Sequence, residues 1–245
     1  MTKERIHLLG VPVDPVTMDD AVERARLWLD AGEQGNILAV NPEKVIRARE
    51  DAEVQGFLTG AKLLIPDGIG VVLGARWLGL GRFDRVAGAD LMPRLCQLAA
   101  ERGDGVFLYG ASDEVNRAAS EHLKQRFPNL IVAGRSHGFV QAEQMPQLIE
   151  HINQSGAQFV FVALGSPRQE RWMQRHMPML DARVFQGVGG TLDVLSGAVT
   201  RAPRLFQALH LEWLFRLLSN PRRLLRQTAL PRFLFDIMKA RFGRR

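Results

Sequence analysis

Five short apolar runs, each closed by a turn and followed by a helical pattern, decide what this chain can fold into. Ile37–Val40 runs into Asn41-Pro42, Ala61–Ile65 into Pro66-Asp67-Gly68, and Gly105–Tyr109 into Gly110. Phe159–Leu164 runs into Gly165-Ser166-Pro167, and Arg183–Gln186 into Gly187-Val188-Gly189-Gly190. Runs this short are strand-sized, and the unbroken apolar character of FVFVAL suits a strand covered on both faces. The spacing predicts helices over Met18–Ala31, capped by Thr17, over Pro42–Ala52, and from Ile69 to Leu78. Further helices are predicted over Ala89–Arg102, from Ser112 to Phe127, over Gln144–Asn153, and after Pro167 through Arg168, Gln169, Glu170 and Trp172. Ile6–Val11 and Leu130–Ala133 read as further strands, and GRSHGF as a loop. Strands alternating with helices in this way define an α/β fold around a mainly parallel sheet.

In such a sheet the strand ends share one edge, where ligands bind, so residues far apart in sequence converge there. Asp67 has two readings: a helix N-cap, or a carboxylate that binds or reacts. Asn41, ahead of Pro42 and Glu43, reads the same two ways. Gly187, Gly189 and Gly190 let backbone N–H groups approach a phosphate, or merely allow a tight turn. The sequence there, GVGGTLD, is neither Walker A nor GxGxxG. Arg85 and Arg168 are the body's nearest cations to these ends, as site residues or as solvated surface charges. His7, His122, His137, His151, His176 and His210 show no metal-ligand spacing, and Cys96 has no second cysteine to pair with. Cys96 lies in the apolar pattern LMPRLCQLAA and reads as a small buried side chain, which suits a reducing compartment.

Charge divides the chain. Residues 201–245 carry ten Arg and one Lys against Glu212 and Asp236, whereas the first 200 residues carry a net charge of −3. The reading is a body over 1–200 and a basic appendage over 201–245. Pro221 and Pro231 split that appendage into three expected helices. Phe206, Leu209, Trp213, Leu214 and Leu217 line one face of the first, flanked by Arg204 and Arg216. Arginine mixed with Trp, Phe and Leu suits an anionic membrane surface, or else a face docked on the body or on a second subunit; nucleic acid is the poorer match. The amino terminus lacks a signal-peptide core, and no apolar run is long enough to span a bilayer.

Assembled, the motifs NPEKV (Asn41–Val45), PDGIGVV (Pro66–Val72), RVAGADLM (Arg85–Met92), GSPRQE (Gly165–Glu170) and GVGGTLDVLSG (Gly187–Gly197) resemble the WecG/TagA/CpsF family of glycosyltransferases. RAP (Arg201–Pro203) and LEWLFRLLSNPRRLLRQ (Leu211–Gln227) extend that resemblance across almost the whole chain, and the combination is most similar to the WecG branch. The resemblance implies a Rossmann-like body with helices on both faces and a membrane-reaching appendage. It implies inverting, metal-independent transfer from a UDP-sugar to undecaprenyl-diphosphate-linked N-acetylglucosamine, with no cofactor besides that co-substrate. N-acetylmannosaminuronic acid or N-acetylmannosamine is the implied donor sugar, with a glucosyltransferase of exopolysaccharide synthesis or a non-catalytic membrane-associated binding protein as alternatives. By position, Asp67 matches the general base, Arg85 and Gln169 match pocket residues, and Asn41 and Asp193 match positions near the nucleotide. Arg216, Arg223 and Arg226 match arginines that complete the site at the bilayer. Some relatives carry threonine where this chain has Ala39, which offers no hydroxyl. The expected setting is the inner face of the cytoplasmic membrane, with no nucleic-acid partner and with a homo-oligomer as a further possibility.

Overall fold

The computed structural model describes residues 4–200, 202, 203, 206, 212, 214, 215 and 229–243. An antiparallel hairpin, β1 (Ile6–Leu8) and β2 (Val11–Val13), precedes the main body. Where one strand was expected over Ile6–Val11, Leu9 and Gly10 take left-handed backbone and fold it back. The body then alternates α1 (Met18–Ala31), β3 (Gly35–Val40), α2 (Pro42–Glu50), α3 (Ala52–Gly60), β4 (Leu63–Pro66), α4 (Ile69–Trp77), α5 (Gly88–Arg102) and β5 (Gly105–Gly110). It continues through α6 (Asp113–Arg126), β6 (Ile131–Ser136), α7 (Met145–Gln154), β7 (Phe159–Ala163), α8 (Arg168–His176), β8 (Val184–Gly187) and α9 (Thr191–Leu195). The last described element is α10 (Ala229–Phe242). Two further elements differ from the sequence reading. Asp51 ends α2 and its carboxylate caps a separate α3, and β6 runs on through Gly134-Arg135-Ser136 because those residues pair with β5.

Strands β3 to β8 form one six-stranded sheet in the order β4-β3-β8-β7-β5-β6, with every neighbouring pair parallel. The arrangement is Rossmann-like. Alternate residues feed two hydrophobic clusters, one on each face. Leu38, Val40, Leu64, Phe107, Tyr109, Val160, Val162 and Phe185 point to the cluster that includes α2, α3, α4, α7 and α8. Ile37, Leu63, Ile65, Val106, Leu108, Phe159, Phe161 and Val184 point to the cluster that includes α1, α5, α6 and α9. This two-sided covering explains why the strands are apolar at consecutive positions. Cys96 is fully buried in the second cluster, and burial pushes its thiol up to about 12, so it is no nucleophile at neutral pH.

Helix α10 belongs to the first cluster through Ala229, Phe233 and Ile237. Its seat is a strip of small residues on α4. A methyl group on Gly74 would lie 3.0 Å from Ile237 Cδ1 and 3.3 Å from Phe233 Cζ. Ion pairs Arg49–Asp236 and Arg232–Glu50 tie its flank to α2. The other two helices expected in the appendage lie outside the described residues, apart from Phe206, Glu212, Leu214 and Phe215, which are helical. No described helix is long and apolar enough to cross a membrane.

Candidate active site

The carboxyl ends of β4, β3, β8 and β7 carry a connected set of polar side chains. Asp67 follows Pro66 at the end of β4, where its N–H bonds to the Val40 carbonyl at 2.9 Å and so fixes it beside β3. Gly68, not Asp67, is the N-cap of α4. Its φ of 122° is open to glycine, and a side chain there would press on Pro42 and Asn41. The Asp67 carboxylate therefore does not cap its own helix. It turns across the edge and accepts the Gly88 N–H, at the start of α5, at 3.3 Å. A carboxylate at a helix start is electrostatically favoured, so the same arrangement holds the charge in place.

The RVAG loop delivers the opposing charge. Val86 is fully buried and donates its N–H to the Pro66 carbonyl at 2.9 Å, which fastens Arg85 beside Asp67. Arg85 Nη2 lies 3.8 Å from Asp67 Oδ1 and 2.6 Å from Glu212 Oε2. Glu212 comes from the carboxy-terminal segment, within the EWL motif, and was not singled out from sequence as a site residue. Gly88 sits close beneath this group, between Asp67, Ala39 and Gln186. Gln186 on β8 is buried and donates to the Gly88 carbonyl at 3.0 Å.

Gln169, in the first turn of α8, is buried under the glycine turn. Its Oε1 accepts the Gly189 N–H at 3.0 Å, and its Nε2 is so close to Gly187 that a methyl group there would lie only 2.6 Å away. Gly187 is thus glycine because Gln169 occupies the space a side chain would need. The turn is less open to an anion than its sequence suggests. Gly189 bonds to Gln169, Val188 to Val162, and Thr191 back to Val188. Gly190 is the turn amide with no such bond among the described residues, and Asp193 carries its carboxylate back to 3.3 Å from where a Gly190 methyl would stand.

Asn41 does cap α2, accepting the Lys44 N–H at 2.8 Å. Lys44, which sequence reading passed over, turns its ammonium inward to Glu170 Oε1 at 2.6 Å. The circuit then closes: Asn41 and Lys44 to Glu170 and Gln169, through the glycine turn and Gln186 to Gly88, Asp67 and Arg85. Arg168 stands outside it as an exposed residue. Arg216, Arg223 and Arg226 lie outside the described residues. Among the described residues no three His, Cys, Asp or Glu side chains converge as a metal site.

Among the described residues, six buried side-chain atoms lack a hydrogen-bond partner, and three of them belong to this circuit: Arg85 Nε, Glu170 Oε2 and Gln186 Oε1. Orphaned polar atoms are rare in folded proteins, so three of them gathered on one sheet edge mark it as built for something other than stability.

An open parallel sheet with charged and amide groups gathered at its carboxyl edge defines the class of α/β proteins that bind ligands in the crevice beyond the strand ends. The model of the glycosyl transferase WecG/TagA/CpsF family matches residues 6–245, and the chain belongs to that family. It is a family of glycosyltransferases of cell-surface polysaccharide synthesis.

Proposed function

We propose that this edge binds a UDP-sugar and transfers its sugar, with inversion, to a hydroxyl of a lipid-diphosphate-linked N-acetylglucosamine. The acceptor oxygen attacks the anomeric carbon while the bond to UDP breaks, and UDP leaves with the bonding electrons. The hydroxyl proton passes to Asp67, because an alcohol needs a base within hydrogen-bond reach as attack proceeds. The observation that carries this reading is the placement of Asp67. It is one-quarter exposed, oriented by the Gly88 N–H, and faced by a guanidinium that donates its shorter bond to Glu212. Arg85, with an unpartnered Nε, supplies positive charge for the departing diphosphate, and Gly190 supplies an amide. Asn41 and Asp193 flank the nucleotide, and Arg216, Arg223 and Arg226 complete the diphosphate side. N-acetylmannosaminuronic acid or N-acetylmannosamine is the proposed donor sugar.

The acceptor reading includes a membrane surface as the partner of the basic appendage. The outer face of α10 supports it. Leu234, Phe235, Met238 and Phe242 are exposed there, as are Leu73 and Trp77 on α4. Trp77 meets Phe242 edge-on at 6.4 Å, so the two helices present one apolar strip. Exposed Arg232, Lys239 and Arg241 border it. Apolar rings beside basic side chains suit an anionic bilayer surface.

The test is UDP release from a panel of UDP-sugars, with and without undecaprenyl-diphosphate-linked N-acetylglucosamine in liposomes. Acceptor-dependent release from one donor is expected. Release from none, with correctly folded protein, refutes the catalytic reading and leaves a non-catalytic binding protein.

A further inference from the structure

The Lys44–Glu170 pair takes no part in the chemistry above, yet it is the most buried ion pair among the described residues, with side chains 7% and 2% exposed. Burying two charges is costly, and apolar side chains of similar volume usually serve stability as well or better. The pair is not even fully satisfied, since Glu170 Oε2 has no partner among the described residues. Stability is therefore a poor explanation for its presence.

Its geometry offers another. Glu170 Oε1 accepts from Lys44 Nζ and also faces Gln169 Nε2 at 3.4 Å. The far end of the same Gln169 carboxamide, Oε1, accepts the Gly189 N–H at 3.0 Å. A carboxamide fills nearly the same space either way round but donates at one end and accepts at the other. An anionic oxygen at one end decides which way it lies. Turned over, Gln169 would set its NH2 against the Gly189 N–H, donor against donor, and release the turn.

We propose that Lys44 and Glu170 are a positioning pair: Lys44 supplies the counter-charge a buried carboxylate requires, and Glu170 fixes the sense of the Gln169 carboxamide. Through Gln169 they hold the Gly187–Gly190 turn in the form that receives the nucleotide. Strand order makes this arrangement possible. Helix α2 follows β3 and α8 follows β7, the two strands on either side of β8, so a bond from α2 to α8 passes across the turn that ends β8. The lysine of NPEKV and the glutamate of GSPRQE are thereby parts of one device. The turn's link to a nucleotide rests on the function proposed above.

The test uses the full-length protein, with Glu170→Gln and the double variant Lys44→Met/Glu170→Leu. Three readouts are needed: thermal midpoint, hydrogen exchange of the Gly189 amide in ligand-free protein by NMR, and UDP affinity by calorimetry. In Glu170→Gln, exchange at Gly189 is expected to rise and UDP affinity to fall, each by roughly tenfold, the worth of one hydrogen bond. The double variant is expected to recover a midpoint within a few degrees of wild type, as apolar replacements of buried pairs do, without recovering either Gly189 protection or UDP affinity. A pair that is only a strut would recover all three together, and that result overturns the proposal. Wild-type Gly189 exchange in Glu170→Gln overturns it as well. If Gly189 responds but the wild-type protein binds no UDP, the positioning role stands and the nucleotide reading falls.

Discussion

Gly187→Ala isolates the contact on which the glycine turn depends. The new methyl group would lie 2.6 Å from Gln169 Nε2, 3.0 Å from its Cδ and 3.3 Å from Met173 Cε. The backbone itself admits alanine, since Gly187 is not among the glycines with positive φ. Restricting the unfolded chain should contribute about 0.4–1 kcal/mol of stability. Against this, the Gln169 carboxamide must move by roughly half an ångström or more to reach ordinary contact. That move takes Oε1 off the Gly189 N–H. An unpaired, part-buried amide costs about 1–3 kcal/mol, and an off-rotamer Gln169 about 0.5–1.5 kcal/mol. The balance is a loss of roughly 0.5–4 kcal/mol. For a chain of this size that is a fall in thermal midpoint of about 1–16 °C with the fold retained. UDP affinity should fall by about tenfold or more, because the turn and Gln169 are displaced together. Gly56→Ala in α3 is the control. A methyl group there meets nothing within 4 Å, and the helix should gain about 0.5–1 kcal/mol. Thermal unfolding and calorimetric UDP titration of the two variants side by side decide the matter. A Gly187→Ala protein that gains stability as the control does, and binds UDP as wild type does, refutes the reasoning.

Other perturbations probe the rest of the edge. Asp67→Asn should keep the fold and UDP binding while lowering turnover about 10²–10⁴-fold; turnover within about tenfold of wild type would remove Asp67 from the role of base. Glu212→Gln should weaken its hold on Arg85 and lower turnover roughly tenfold while leaving the thermal midpoint of the body unchanged, and unaltered kinetics would show that Glu212 is only a tether. Phe233→Ala removes the main anchor of α10, for which a fixed core would lose about 3–5 kcal/mol, whereas the exposed pairs Arg49–Asp236 and Arg232–Glu50 retain little. The expected outcome is fast hydrogen exchange across Ala229–Phe242 with the sheet still protected; simultaneous loss of sheet protection would make α10 an integral part of the core. His176 is held below its usual 6.5 by burial and then by the neighbouring Arg175. The unfolded chain therefore binds the extra proton first, so stability is lost as pH falls below about 6.5. His176→Phe should flatten the change in urea midpoint between pH 7.5 and 5.5, and an unchanged slope would exclude His176 as its source.

Much of the frame was legible because it rests on local signals. Thr17 caps α1 through a reciprocal bond with Asp20, and the FVFVA run is buried at every position. The elements misread are those decided by neighbours or by backbone. Leu9-Gly10 breaks a continuous apolar run by adopting left-handed backbone, and β6 is extended by its pairing with β5. At the candidate site, Asn41, Asp67 and the glycines could be singled out because strand ends and turns can be recognised in sequence, whereas Gln169 was named through the family resemblance. Lys44, Gln186 and Glu212 were not singled out, because each is defined by a partner about a hundred residues or more away: Glu170, Gly88 and Arg85 respectively. A signal did exist for one of them. Lys44 falls among Pro42, Val45, Ile46 and Ala48 on the buried face of α2, and a lysine on such a face requires a buried counter-charge. No comparable pattern announces Glu212, whose role depends on where the carboxy-terminal segment comes to rest.

That resting place bears directly on the proposed chemistry. The backbone of Arg85 is held by its neighbour Val86, which is bonded to Pro66, and its guanidinium reaches two carboxylates. With residue 212 docked, the 2.6 Å bond goes to Glu212 and Asp67 stands off at 3.8 Å. Withdraw that segment, and Asp67 becomes the nearest carboxylate to the same guanidinium among the described residues. Docking of the carboxy-terminal segment thus makes Glu212 the nearer carboxylate to Arg85 at the edge where donor and acceptor are proposed to meet. A single glutamate thereby ties the carboxy-terminal segment to the arginine that stands beside the proposed base.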